Sequence, residues 1–152
     1  MPRKRFSSLL ICLMALSGCG DDYQSSIPSV PFYFSCSLSQ APYYQITVPG
    51  QFLKVTQNVN GVAVGYAGLI IGQSVYSSGN QYIAFDAACP VEASRSVSLQ
   101  LVSGDAFGQA ECPKCKATFA LSANGSRNDG KGTQVLRSYP VAVVGNTLQV
   151  RN

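Results

Sequence analysis

From residue 29 to residue 38 apolar and polar positions alternate. Val30, Phe32, Phe34, Cys36 and Leu38 are separated by Pro31, Tyr33, Ser35 and Ser37. A period of two predicts a strand with one apolar face and places Cys36 inward. After the turn signal Val48-Pro49-Gly50, the runs 52–56 and 62–66 flank Asn60-Gly61, which predicts a hairpin. The β-prone runs 68–72 and 81–85 flank Ser77-Ser78-Gly79-Asn80, a second hairpin signature. Val97, Leu99 and Leu101 alternate with Ser96, Ser98 and Gln100 before Ser103-Gly104-Asp105 turns the chain towards Cys112. The tail repeats the device, with 141–144 and 147–150 joined through Gly145-Asn146. No ten-residue segment holds a helical period. Short strands, frequent turns, 14 glycines and 8 prolines predict an all-β antiparallel sandwich or barrel.

The N-terminus follows a different logic. Arg3, Lys4 and Arg5 precede an apolar run over 9–16 that is too short to cross a bilayer, and Leu16-Ser17-Gly18-Cys19 resembles a bacterial lipobox. The expected organisation is a signal peptide over 1–18, a polar tether over 19–26 lipidated at Cys19, and one β domain over 27–152. The partner implied by such an anchor is the lipid bilayer, and the address is the cell envelope, facing the periplasm or the cell surface. Disorder is expected through the tether. Three of the chain's 11 basic residues lie in the leader, so the mature balance is eight basic against seven acidic residues, or +1. The formal charge of +4 therefore gives no support to nucleic-acid binding.

The chain contains no histidine, which removes the imidazole base from serine and cysteine nucleophile arrangements. Asp86, Glu92, Asp105, Glu111 and Asp129 are the carboxylates of the folded part, and their spacing suits turns and solvated surface better than acid-base work. The chain reads as a non-enzyme or, if redox-active, as an electron-transfer component. Lys114, Lys116, Arg127, Lys131 and Arg137 form a candidate positive rim for an acidic protein or anionic glycan, or a plain soluble face. Tyr33, Tyr43 and Tyr44 are candidates for stacking on sugar rings, or for lining a sheet.

Two cysteine boxes carry the candidate chemistry. Gln81-Tyr82-Ile83-Ala84-Phe85-Asp86-Ala87-Ala88-Cys89-Pro90 resembles the strand and first cluster loop of Rieske-type domains, which run to Cys-Pro-His. Cys112-Pro113-Lys114-Cys115-Lys116-Ala117-Thr118-Phe119 resembles their second loop, Cys-Pro-x-His-Gly-x-x-Phe. Asn124-Gly125, Gly130-Lys131-Gly132, Leu136, Tyr139 and Val141 follow in the family's order, so the resemblance spans about residues 52 to 150. It implies a Rieske-like antiparallel β fold with two cysteine-bearing loops. A Rieske centre places two cysteines on one iron and two histidines on the other. Cys89 and Cys112 match the cysteine ligands, whereas Val91 and Cys115 stand where the histidines belong. Lys116 replaces a glycine of the second loop, and Lys131 replaces a proline of the covering loop.

Several states of the cysteines follow. A 2Fe-2S cluster held by Cys89, Cys112, Cys115 and an unknown fourth ligand is one. Zinc is disfavoured, because Cys112-x-x-Cys115 supplies only half of a thiolate knuckle. A disulfide between the boxes, from Cys89 to Cys112 or Cys115, is favoured by export to an oxidising compartment. Cys36 reads as a core residue or disulfide partner in preference to a metal ligand. Arg3-Lys4-Arg5 is not a twin-arginine motif, and the leader implies export of an unfolded chain without a cluster. The expectation is a cell-envelope lipoprotein with a Rieske-like domain, no cofactor, and a structural or binding role. Electron transfer through 2Fe-2S is the alternative, and glycan or partner binding the third reading.

Overall fold

The computed structural model describes residues 25–76 and 81–152. The leader, the lipobox with Cys19 and the turn at 77–80 lie outside the described residues. The strands are β1 (Tyr33–Ser37), β2 (Phe52–Val55), β3 (Leu69–Gln73), β4 (Tyr82–Asp86), β5 (Gln100–Leu101), β6 (Gln109–Glu111), β7 (Thr118–Ala120), β8 (Ser126–Arg127), β9 (Ser138–Tyr139), β10 (Val141–Val144) and β11 (Thr147–Arg151). A single 3-10 turn, Tyr43–Thr47, is the helical element among the described residues. Three small antiparallel sheets result, ordered β1-β11-β10, β2-β3-β4-β9 and β5-β6-β7-β8. The chain thus has the all-β antiparallel architecture with two cysteine-bearing loops that the Rieske resemblance implies.

Alternation in β1 is realised as predicted, with Phe34, Cys36 and Leu38 buried and Tyr33 exposed. β1 and β10 flank β11, and the two-residue turn between β10 and β11 places Gly145 at φ +60°, where glycine carries no Cβ penalty. β3 and β4 obey a different rule. All five residues of β3 are buried, because the strand separates two apolar cores. Leu69 and Ile71 enter one core with Phe34, Cys36, Ile46 and Leu148, while Ile70 enters the other with Cys89, Cys112, Leu99 and Phe119. β4 divides its side chains likewise, Ala84 to the first core and Phe85 to the second. A run buried on both faces reads as continuously apolar, as 68–72 does in the sequence.

One boundary differs from expectation. The predicted hairpin between 52–56 and 62–66 survives only as a bridge between Gln57 and Ala63 at the tip, where the Asn58 side chain accepts the amides of Asn60 and Val62. β2 forms its ladder with β3 instead. Ser26 donates its hydroxyl to the Pro90 carbonyl at 2.5 Å, Ile27 is buried, and the Ile27 carbonyl accepts from Arg137 at 3.1 Å.

Asp86 explains why 65–68 is not strand. Its side chain, expected in a turn or on the surface, is fully buried. A buried carboxylate is tolerable only when its lone pairs are filled. This one accepts the Tyr66 amide at 2.5 Å, the Ala67 amide at 3.1 Å, the Ala88 amide at 2.8 Å and the Tyr139 hydroxyl at 2.7 Å. Burial, reinforced by the neighbouring carboxylate, raises the pKa of that phenol and keeps it a donor. Gly65, at φ +67°, lets the backbone come this close, since a Cβ there would lie 2.8 Å from the carboxylate.

Asp86→Ala leaves three amides and a hydroxyl without their acceptor, and a loss of about 3–5 kcal/mol is expected in urea denaturation. Tyr139→Phe removes one bond to a charged acceptor and is expected to cost about 1.5–3 kcal/mol. Losses below about 0.5 kcal/mol for both would contradict this role for the carboxylate.

Candidate thiol site

Two loops present the cysteines, and their local geometry repeats. The first leaves β4 through Ala87 and Ala88, and the second leaves β6 at Glu111. In the first, Ala93 donates its amide to the Cys89 carbonyl at 2.8 Å, and Ala93 has φ +47°. In the second, Lys116 donates to the Cys112 carbonyl at 3.0 Å, and Lys116 has φ +62°. Each loop therefore closes four residues after its cysteine on a residue in the left-handed region. Lys116 thus sits in the left-handed region that a glycine would hold without a Cβ penalty. The loop bases are pinned by Cys89 N–H to the Val97 carbonyl at 3.3 Å and Cys112 N–H to the Ala117 carbonyl at 2.9 Å.

The repeat extends to the sulfurs. The amides of Glu92 and Val91 face the Cys89 sulfur, and those of Cys115 and Lys114 face the Cys112 sulfur. Such amides favour the anionic form of a thiol. At Cys89 burial outweighs them and pushes the pKa up to about 12. At Cys112 burial also raises the pKa, but the two amides, with the neighbouring thiols donating, turn the net shift downward.

The loops bring Cys89, Cys112 and Cys115 together, with their sulfurs within 4.8 Å of one another. Cys89 and Cys112 are fully buried and Cys115 is half-buried. All four described cysteines are free thiols, and the Cys89 and Cys115 sulfurs lie 3.6 Å apart. Both pairings expected between the boxes join sulfurs of this group, and Cys89 with Cys115 is one pair close enough to bridge after a small movement. Cys36 belongs to the other core, as the core reading of that residue requires. Val91, 38% exposed, sits in the first loop beside Pro90 and brings no donor atom to the position the family gives to an imidazole.

Charge around the loops is mostly paired. Lys114 binds Glu92 at 2.5 Å and so ties one cysteine loop to the other, and Lys116 meets Glu111 at 3.3 Å. Arg127 grips Asp129 at 2.7 and 2.9 Å and Gln134 at 2.7 Å. Arg137 donates to the Ile27 carbonyl and lies over the Tyr139 ring. Four of the five cations proposed as a positive rim therefore have partners; Glu92, Glu111 and Asp129 pair with three of them, while Asp129 also accepts the Lys131 amide at 2.9 Å as a turn residue and Glu111 stays on the surface. The sugar-stacking trio is also divided. Tyr33 and Tyr44 are exposed, but Tyr43 packs edge-on to Phe34 with ring centroids 5.9 Å apart. A surface cavity of about 560 Å³ lies between 50–52 and 101–109 and has no cysteine in its lining.

Sequence reasoning missed two contributors. Asp86 was visible as a lone acid between Phe85 and Ala87 in an apolar strand, a pattern that marks a paired buried charge. The Glu92–Lys114 bridge had no such signal, since 22 residues separate its partners.

The sequence matches no protein-family model and no curated protein. Solved structures with a similar chain path include the complex of reduced oxygenase and oxidized ferredoxin in carbazole 1,9a-dioxygenase, at 20% identity and a TM-score of 0.46, covering 78% of this chain and 92% of that one. The ferredoxin of carbazole 1,9a-dioxygenase from Nocardioides aromaticivorans IC177 is similar at 18% identity and a TM-score of 0.42, covering 80% and 97%.

Thiol labelling tests the division of the cysteines. Burial pushes the Cys36 thiol from an ordinary 9.0 up to about 11, so its thiolate fraction at neutral pH falls about 100-fold, before any loss of access is counted. In the reduced native protein Cys115 is expected to alkylate first and Cys36 only upon unfolding, as read by peptide mass mapping. Early labelling of Cys36 would contradict the placement.

Proposed function

We propose that this chain is a cell-envelope lipoprotein whose Rieske-like domain holds no histidine-ligated 2Fe-2S cluster and serves as a structural or partner-binding module. The observation that carries the reading is the donor set of the two loops. Three thiols converge, and the side chain at the first histidine position is a valine. A Rieske centre needs two imidazoles on its second iron, and the sequence contains no histidine to supply either. The donor set does not fit that group. The lipid anchor at Cys19 and the envelope address rest on the leader sequence, and an apolar run with a lipobox supports them.

Burial supports the structural role. The cysteine loops are packed into the second core, with Cys89, Cys112, Leu99, Ala110 and Phe119 inaccessible to solvent. Their integrity depends on Asp86 and the loop-base bonds, with Glu92–Lys114 as an exposed tie, and none of these needs a cofactor. In an oxidising compartment the Cys89 and Cys115 sulfurs need to close from 3.6 Å to about 2.05 Å to form a bridge. Such a bridge adds roughly 2–4 kcal/mol of stability.

A second reading, electron transfer through a 2Fe-2S cluster with cysteine ligation, draws on the same three free thiols in one pocket. It requires a fourth ligand from outside the group.

Iron, acid-labile sulfide and free-thiol content of the full-length protein, purified both anaerobically and aerobically, separate the readings. The proposal expects neither iron nor sulfide in either preparation, and blockage of Cys89 and Cys115 in the aerobic one. Stoichiometric iron and sulfide would overturn it in favour of electron transfer.

A further inference from the structure

The thiol group has a geometry of its own. Among the described residues no carboxylate and no further thiol joins Cys89, Cys112 and Cys115 within the 4.8 Å that encloses their sulfurs. Three sulfurs bound to one ion at about 2.3 Å would stand about 3.8–4.0 Å apart. The Cys89–Cys115 separation of 3.6 Å is already close to that value, and no pair exceeds it by more than about 1 Å. A two-iron cluster divides four protein ligands between its irons and so needs both another donor and a wider spread.

We propose that the reduced site binds one soft, thiophilic d10 cation, Zn(II) or Cu(I), through the Cys89, Cys112 and Cys115 thiolates. The proposal rests on the reading that the site holds no iron-sulfur cluster. Ligand type argues for this class, since an all-sulfur set selects Cu(I) and zinc over magnesium, calcium or manganese. Burial argues for it as well. Three thiolates gathered in an apolar core need a compensating positive charge, and the loops already aim the amides of Val91, Glu92, Lys114 and Cys115 at two of the sulfurs. Cu(I) is satisfied by three thiolates. Zn(II) keeps a fourth position, which the half-exposed side of Cys115 leaves open to water or an exogenous ligand. Binding is ligand exchange without electron transfer. Each thiol gives its proton to solvent, and each sulfur donates a lone pair to the ion.

The site also makes metal binding and oxidation exclusive, because a Cys89–Cys115 bridge consumes two of the three ligands. A filled site is therefore expected to resist closure of that bridge.

The test uses the reduced full-length protein under anaerobic conditions, titrated with Zn(II) and, separately, with Cu(I) against a chromophoric chelator. One ion per chain is expected in at least one arm. The same ion should slow formation of the Cys89–Cys115 disulfide on exposure to oxidised glutathione. Cys115→Ser, at the least buried ligand, should weaken binding at least about 100-fold, beyond the usual effect of a neighbour that only orients a ligand. Cys36→Ser should leave it unchanged. Far-ultraviolet circular dichroism checks that each variant folds, and should Cys115→Ser fail to fold, alkylation of Cys115 in the native protein replaces it. Absence of a stoichiometric site in both arms, or equal binding after loss of Cys115, would overturn the proposal while leaving the clusterless reading intact. Stoichiometric iron and sulfide in the starting protein would overturn both.

Discussion

The structure depends on one buried charge. Asp86 ends β4 where the strand passes from the first core to the first cysteine loop, and its carboxylate accepts bonds from two segments distant in sequence and from Ala88, two residues on. Through Tyr66 and Ala67 it shapes the turn before β3. Through Tyr139 it fixes β9 at the sheet edge, and through Ala88 it sets the chain entering Cys89. A carboxylate with this many donors is held in one place, because moving it strands several buried polar groups at once. The cysteine loop inherits that rigidity, and the Glu92–Lys114 pair adds only an exposed tie between the loops.

With that anchor, the thiol site is the product of two similar loops on one core. Each turns on a residue at positive φ, closes on its cysteine's carbonyl, and faces amides towards its sulfur. Cys115 comes from the second loop alone, so the site has three thiols rather than four. The imbalance follows from Val91, an exposed side chain without a donor atom in the first loop. The two loops thus present a compact set of three sulfurs.

Local patterns were legible and long-range choices were not. Alternation over 30–38 identified the buried face of β1 and the inward Cys36, because one strand with one buried face writes its environment into its own residues. Gly145-Asn146 identified the last hairpin, since a two-residue turn fixes its register locally. Asn60-Gly61 had the same appearance but yielded only a bridge. The backbone amides after Gly65 are taken by Asp86, a partner 20 residues away that no turn rule contains. The convergence of the cysteine boxes was legible through the family resemblance. The count of three usable thiols in one group, the partial burial of Tyr43 against Phe34 and the pairing of Lys114, Lys116 and Arg127 came from tertiary placement.

The central claim is that the two loops gather three thiols without building a two-iron centre. Electron paramagnetic resonance of the anaerobically purified full-length protein after dithionite reduction tests it most directly. A spectrum without the signal of a reduced 2Fe-2S cluster is the predicted result. A cluster signal integrating to one spin per chain would contradict it.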